Sequence, residues 1–259
     1  MICFPISKIN LGLHVISKRE DGFHTIESVF YPVKMRDILE ITQFSKNDKP
    51  ETSGYSFSSS GLKISGPMES NLVLKAWKAL QKEFSLPGIH IHLHKVIPMG
   101  AGLGGGSSDA ASLIVMVNTL FGLALDVKKM CDIAEKIGSD CPFFVESKPK
   151  LVRGKGEILD PFEFDLSQYR IELEFPGIHI DTKEAYQGVT PCSDRESLVN
   201  ILNQPLSQWK NSLSNDFEDS ILPKYPEIQR IKENFYRKGA LYSSMTGSGS
   251  AVYGIFNKE

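Results

Sequence analysis

Apolar and polar positions alternate along residues 8–15: Ile9, Leu11, Leu13 and Val15 take one face, Lys8, Asn10, Gly12 and His14 the other. That period of two predicts a half-buried strand whose polar face carries Lys8 and Asn10 about 7 Å apart. Glu20-Asp21-Gly22 reads as a hairpin turn, after which Phe23-His24 opens a second strand reaching Val33. Residues 37–44 alternate again. Residues 45–66 are polar and read as loops around short strands at 55–57 and 62–64. Helical spacing takes over at 71–84 (Leu72, Leu74, Ala76, Leu80) and stops before Pro87-Gly88. In 88–97 alternation returns, with Ile89, Ile91 and Leu93 opposite His90, His92 and His94. Three histidines at that spacing suggest zinc. No cysteine or carboxylate cluster accompanies them, and the alternation alone explains a solvent-facing strand.

Pro98 ends that strand, and the pattern dissolves into Gly100-Ala101-Gly102-Leu103-Gly104-Gly105-Gly106-Ser107-Ser108. A backbone nearly free of Cβ atoms can adopt positive φ and lie close against a ligand. A helix start follows: Ser107 or Ser108 as cap, Asp109 in the first turn, then Ala110, Ala111, Leu113 and Ile114. Unpaired N–H groups and the positive end of the helix dipole make such a junction a phosphate site. The bland reading is a flexible linker, which would not be fused to a strong helix start. A dinucleotide fingerprint is formally met by G-x-G-x-x-G, but it needs a following strand ending in an acid, and residues 123–138 read as a helix. No Gly-Lys-[Ser/Thr] is present for a Walker loop.

The helix after the loop is expected to end near Gly122, and a second, capped by Asp126, at Gly138. Asp140 then falls in a turn before an expected strand at 141–145; such an acid is usually a plain turn former. Strands are expected at 154–159 and 169–175, a helix start at Asp181-Thr182, and mostly helix over 194–238. The clearest piece there is Pro226 to Phe235, with Gly239 as stop. Residues 240–256 read as a hairpin around Thr246-Gly247-Ser248-Gly249-Ser250, too rich in glycine and hydroxyls for a plain turn. The shift in texture sets two domains, 1–155 and 156–259.

Composition narrows the function classes. The 259 residues are 41% hydrophobic and 23% charged with net charge −2, which gives no footprint for nucleic acid or for an anionic membrane surface. No run is long enough to span a bilayer, and the N-terminus lacks the order of a signal peptide. Cys3, Cys131, Cys141 and Cys192 lack C-x-x-C spacing and read as buried free thiols in a reducing cytoplasm.

Taken in order, Ser7-Lys8-Ile9-Asn10-Leu11, Asp21-Gly22-Phe23-His24, the loop Pro98 to Ser108, Gly138 to Phe144, Pro176-Gly177 with Thr182, Asn215-Asp-Phe-Glu and Thr246 to Ser250 resemble the GHMP kinase superfamily across nearly the whole chain. The resemblance implies an α+β protein. Its N-terminal domain would be like ribosomal protein S5 domain 2 and its C-terminal domain ferredoxin-like. It implies ATP with Mg²⁺, the phosphates wrapped by Pro98, Met99, Gly100, Ala101, Gly102, Leu103, Gly104, Gly105, Gly106, Ser107 and Ser108. Lys8 and Asp140 would flank an accepting hydroxyl, and Asn10, Thr182 and Gly247 would contact substrate. Phe23 would stack on a cytosine that His24 hydrogen-bonds. The implied partner is thus a small cytidyl-bearing alcohol on a route to isoprenoids, with no nucleic acid, membrane or obligate protein partner.

Two departures accompany the resemblance. The family's usual tyrosine is Phe23 here, which keeps the stacking face and loses a hydroxyl. The family's further helix and strand have no counterpart after Phe256, a difference that bears on the second domain's stability. Rival readings are a GHMP kinase for homoserine, mevalonate or a sugar, a nucleotide-binding dehydrogenase, and a silent nucleotide-binding module.

Overall fold

A computed structural model of the chain describes residues 1–45 and 54–258. In chain order the strands are β1 (Ile2–Cys3), β2 (Ile6–Lys18), β3 (His24–Arg36), β4 (Ile38–Gln43), β5 (Tyr55–Gly61), β6 (Ile89–Lys95), β7 (Lys150–Arg153), β8 (Ile158–Pro161), β9 (Tyr169–Glu174), β10 (Tyr242–Met245) and β11 (Val252–Asn257). The helices are α1 (Leu72–Phe84), α2 (Gly105–Phe121), α3 (Val127–Glu135), α4 (Cys141–Glu146), α5 (Thr182–Gln187), α6 (Leu198–Leu202), α7 (Trp209–Ser212), α8 (Glu218–Ile221) and α9 (Pro226–Arg237). Three sheets run β1-β4-β6-β5, β2-β3-β7-β8 and β10-β11-β9. The chain divides into two compact units, one of 1–7, 34–99 and 104–148, the other of 8–33, 100–103 and 149–259. This differs from a single cut at 155/156: β3 pairs with β7, and that pairing draws residues 8–33 to the C-terminal half.

In the first unit, Ile89, Ile91 and Leu93 of β6 bury against Trp77 and Leu80 of α1 and Leu113, Ile114 and Val117 of α2. Each such aliphatic side chain contributes roughly 1.5–3 kcal/mol on burial, so this face decides the register. The opposite face of β6 is not simply solvated. His90 bonds Ser56, His92 bonds Ser58 and Ser60, and His94 bonds Ser60, all across the parallel pairing with β5. Asn71 caps α1 by accepting from Val73 N–H, and Asp126 caps α3 by accepting from Lys129 N–H. The second unit packs Leu13, Val15 and Ile26 with Phe217, Ile228, Phe235, Met245, Val252 and Phe256.

Several expectations are corrected. β2 is buried on both faces from Ser7 to Val15, because Lys8, Asn10 and His14 go inward rather than to water. α2 starts at Gly105, with Gly104 in the left-handed region as its N-cap; neither Ser107 nor Ser108 caps, and Asp109 falls beyond the first turn. Residues 141–146 form a helix, not a strand: Pro142 fits its first turn, and that overrides the strand preference of Phe143, Phe144 and Val145. Residues 154–157 turn through Gly154 (φ 70°) and Gly156 (φ 109°) between β7 and β8. Residues 62–64 are not a strand, and 46–53 of the expected loop lie outside the described residues. Of the four free cysteines only Cys141 is buried, and Cys192 is exposed.

Candidate active site

Asn10 is the hub of a buried network in the second unit. Its Nδ2 donates to Ser28 Oγ at 2.8 Å and its backbone N–H to Thr246 Oγ1 at 2.9 Å. Its Oδ1 accepts from Lys8 Nζ at 2.6 Å and from the Thr246 hydroxyl at 3.2 Å. Lys8, 3% exposed, also donates to the Gly102 carbonyl at 2.9 Å and lies 4.5 Å over the Phe30 ring. Polar side chains bury here because nearly every donor meets an acceptor.

Two glycines let the loop 100–103 and the turn 246–250 approach each other. Gly102 (φ 77°) has no room for a Cβ, which would run into the Thr246 carbonyl. A Cβ on Gly247 (φ 56°) would stand 3.4 Å from Asn10 Oδ1 and from Gly102. Asn215 fixes the turn, its Nδ2 donating to the Met245 and Gly247 carbonyls at 2.9 Å each.

From that turn the polar contacts run on to an aromatic ledge. Ser248 Oγ lies 3.2 Å from Thr182 Oγ1 in the first turn of α5, whose side-chain cap is Asp181. One turn along α5, Tyr186 stacks on His24 with ring centroids 4.8 Å apart and planes 16° apart. Desolvation, aided by Lys18, holds the His24 imidazole below its ordinary pKa, which favours the neutral ring. Phe23 is 59% exposed, with the Lys155 ammonium 4.9 Å over its ring.

In the first unit, α2 opens on Gly105, Gly106 and Ser107, whose N–H groups have no carbonyl one turn earlier in the helix. The first to bond back is Ser108 N–H, to the Gly104 carbonyl at 2.9 Å. Gly106 is exposed and Ser107 half-buried, whereas Ser108 is buried; of the two hydroxyls, Ser107 is the more accessible for a nucleotide-borne cation. The turn 138–141 closes on this helix end. A Cβ on Gly138 would stand 3.2 Å from Cys141 Sγ and 4.0 Å from Ser107 Oγ. Burial pushes the Cys141 thiol up to about 11, with Ser107 acting against the rise. Asp140, half-buried in that turn, accepts from the Ser139 hydroxyl at 3.3 Å.

The expected residues therefore fall into two groups. Lys8, Asn10, Phe23, His24, Thr182, Gly247 and Gly100 to Leu103 belong to the second unit; Pro98, Met99, Gly104 to Ser108 and Asp140 belong to the first. Sequence reasoning missed Ser28 and Tyr186. The signal for Tyr186 was its place four residues after Thr182 on a capped helix. Among the described residues no group of three His, Cys, Asp or Glu could hold a metal. Among the same residues no helix is long and apolar enough to cross a membrane.

Residues 71–148 match the family profile described as GHMP kinases N terminal domain, and residues 197–259 match GHMP kinases C terminal. A protein of Cytophaga hutchinsonii named 4-diphosphocytidyl-2-C-methyl-D-erythritol kinase is 50% identical over 260 residues, covering 100% of this chain and 93% of its own. One of the same name from Azobacteroides pseudotrichonymphae is 47% identical, covering 100% and 94%. The crystal structure of a 4-(cytidine 5'-diphospho)-2C-methyl-D-erythritol kinase superposes with TM-score 0.83 at 30% identity, covering 98% of this chain and 90% of that one. A mevalonate kinase of L. major in complex with R-mevalonate, 15% identical with TM-score 0.69 over 100% of this chain and 88% of its own, shares the fold.

Proposed function

The chain belongs to the GHMP kinases, and from that premise we propose that it transfers the γ-phosphoryl of ATP to the 2-hydroxyl of 4-diphosphocytidyl-2-C-methyl-D-erythritol. The observation that carries the acceptor's class is the stacked pair His24 and Tyr186, with the exposed Phe23 ring next to His24 in the chain. A flat aromatic surface beside a neutral imidazole suits a nucleobase, which stacks and hydrogen-bonds, whereas mevalonate or homoserine would leave it unused.

Phosphoryl transfer is mainly positioning and neutralisation of charge on the moving group. The open N–H groups of α2 and its dipole hold the ATP phosphates; Ser107 would be the hydroxyl offered to a Mg²⁺ ion, which would supply further charge neutralisation when bound. Asp140 orients the acceptor hydroxyl and takes its proton. A carboxylate is a weak base toward an alcohol, so orientation counts as much as proton removal. Lys8 offsets charge on the moving phosphoryl; Asn10 and Gly102 aim its ammonium. Asn10, Thr182 and Gly247 hold the acceptor's polyol and diphosphate, with Phe23 stacking on the cytosine and His24 hydrogen-bonding it. The loss of the phenolic hydroxyl at position 23 removes one polar contact from that stack. An exposed free thiol such as Cys192 suits a reducing compartment, and we place the enzyme in the cytoplasm.

The test is ADP release with Mg-ATP against a panel of the diphosphocytidyl acceptor, homoserine, mevalonate and galactose. Turnover is expected on the first alone. Turnover on one of the others, with none on the cytidyl compound, would overturn the assignment.

A further inference from the structure

One buried ionic cluster in the first unit has no part in the roles above. Lys95, at the end of β6, is 3% exposed and donates to Asp37 Oδ2 at 2.5 Å and to Asp109 Oδ2 at 2.9 Å. Asp37 is fully buried, and its Oδ1 accepts the backbone N–H groups of Val96 (2.6 Å) and Ile97 (2.9 Å), the residues leading into Pro98. Asp109 lies in α2, four residues past Gly105, and a side chain on Gly105 would meet the Lys95 ammonium at 3.2 Å. One ammonium and two carboxylates thus tie the residues that enter the glycine loop to the helix that leaves it.

Burying three charges is an expensive way to gain stability, since well-packed apolar residues of similar volume often do as well. What the cluster supplies is geometry: fixed, charge-assisted bonds at both ends of one loop. We propose that Asp37, Lys95 and Asp109 are positioning residues for ATP, clamping the two ends of the glycine loop so that the N–H groups opening α2 stay at phosphate spacing. This rests on the kinase reading and adds to it residues that touch neither substrate.

Asp109 Oδ1 has no hydrogen-bond partner, so the bond from Lys95 to its Oδ2 is what holds this carboxyl at the start of α2.

The experiment is steady-state kinetics in both substrates for wild type, Asp109→Asn and Lys95→Met, with thermal melts of each. Lys95→Met should raise KM for ATP about tenfold while KM for the acceptor changes less than about twofold. Asp109→Asn, whose amide keeps the shape and weakens the tie to Lys95, should raise KM for ATP about threefold, again with KM for the acceptor little changed. If Lys95→Met does not melt cooperatively, Asp109→Asn decides alone. A folded variant with unaltered KM for ATP, or with both KM values raised alike, overturns the clamp. Absence of ATP turnover in wild type overturns instead the kinase reading on which it rests.

Discussion

The two units bury charge in opposite ways. The first encloses an ammonium, Lys95, between two carboxylates, so that the ions largely cancel. The second seats Lys8 against a side-chain amide, a backbone carbonyl and the Phe30 ring. It also buries the His14 imidazole with no hydrogen-bond partner on either nitrogen. Lys95 ties two carboxylates at the ends of one glycine loop, whereas Lys8 is held beside Asn10 and the Gly102 carbonyl, although the two are equally buried.

That division also assigns kinetic parameters, and the largest expected effect tests it first. Asp140→Asn, in the first unit, should lower kcat by about 10²–10⁴, the usual range for a positioned acid or base, with KM for ATP nearly unchanged. The amide keeps the shape and can no longer take a proton. Steady-state rates with ADP detection measure this. Near-normal turnover would remove Asp140 from the reaction and leave the first unit with phosphate binding alone.

The next effect sharpens the contrast in buried charge. Desolvation, with Arg195 adding to it and Asp216 opposing, lowers His14 from 6.5 to about 4. Below 6.5 the unfolded chain binds a proton that the folded chain refuses, so stability falls as pH drops from 6.5 toward 4. The loss approaches about 3 kcal/mol at the acid end of that window. Asp109 slopes the other way: its folded pKa lies above its unfolded one, so its contribution declines as pH rises from 3.8 toward 7. Denaturant melts of wild type and His14→Gln between about pH 4 and pH 7 isolate the histidine's share. Equal slopes in the two proteins would show that His14 is protonated, or exposed, in the native state.

Much of this was legible in the sequence, and what was not has physical causes. Alternation marked β2 and β6, caps marked α1 and α3, and the two glycine-rich stretches marked the turns where backbone approaches backbone. Lys8 and Asn10 looked like a solvated face because nothing local reveals that Thr246, 236 residues on, closes over Asn10. The Asp37–Lys95–Asp109 cluster was hidden likewise, since its members are 58 and 14 residues apart and each alone reads as surface charge. α4 was missed because Phe143, Phe144 and Val145 prefer strands, and Pro142 in its first turn together with packing against α2 and α3 overrides that. The acid and lysine were named by family likeness; a single sequence carries no independent sign of either.

The smallest effect tests the second unit's side of the comparison. If the aromatic ledge of that unit recognises the base while Lys8 and the first unit serve the phosphoryl group and the proton, then His24→Ala should raise KM for the cytidyl acceptor about tenfold and change kcat by less than about twofold. The imidazole has two routes to that effect, its own hydrogen bond and its support of the Tyr186 ring stacked 4.8 Å away. His24→Phe separates them, because it keeps a stacking partner for Tyr186 and deletes the nitrogen atoms. A KM near wild type in His24→Phe would assign the role to stacking, whereas a value like that of His24→Ala would assign it to the hydrogen bond. A fall in kcat comparable to that of Asp140→Asn, with KM unmoved, would mean that the aromatic ledge serves the chemical step, and the division of labour between the units would fail.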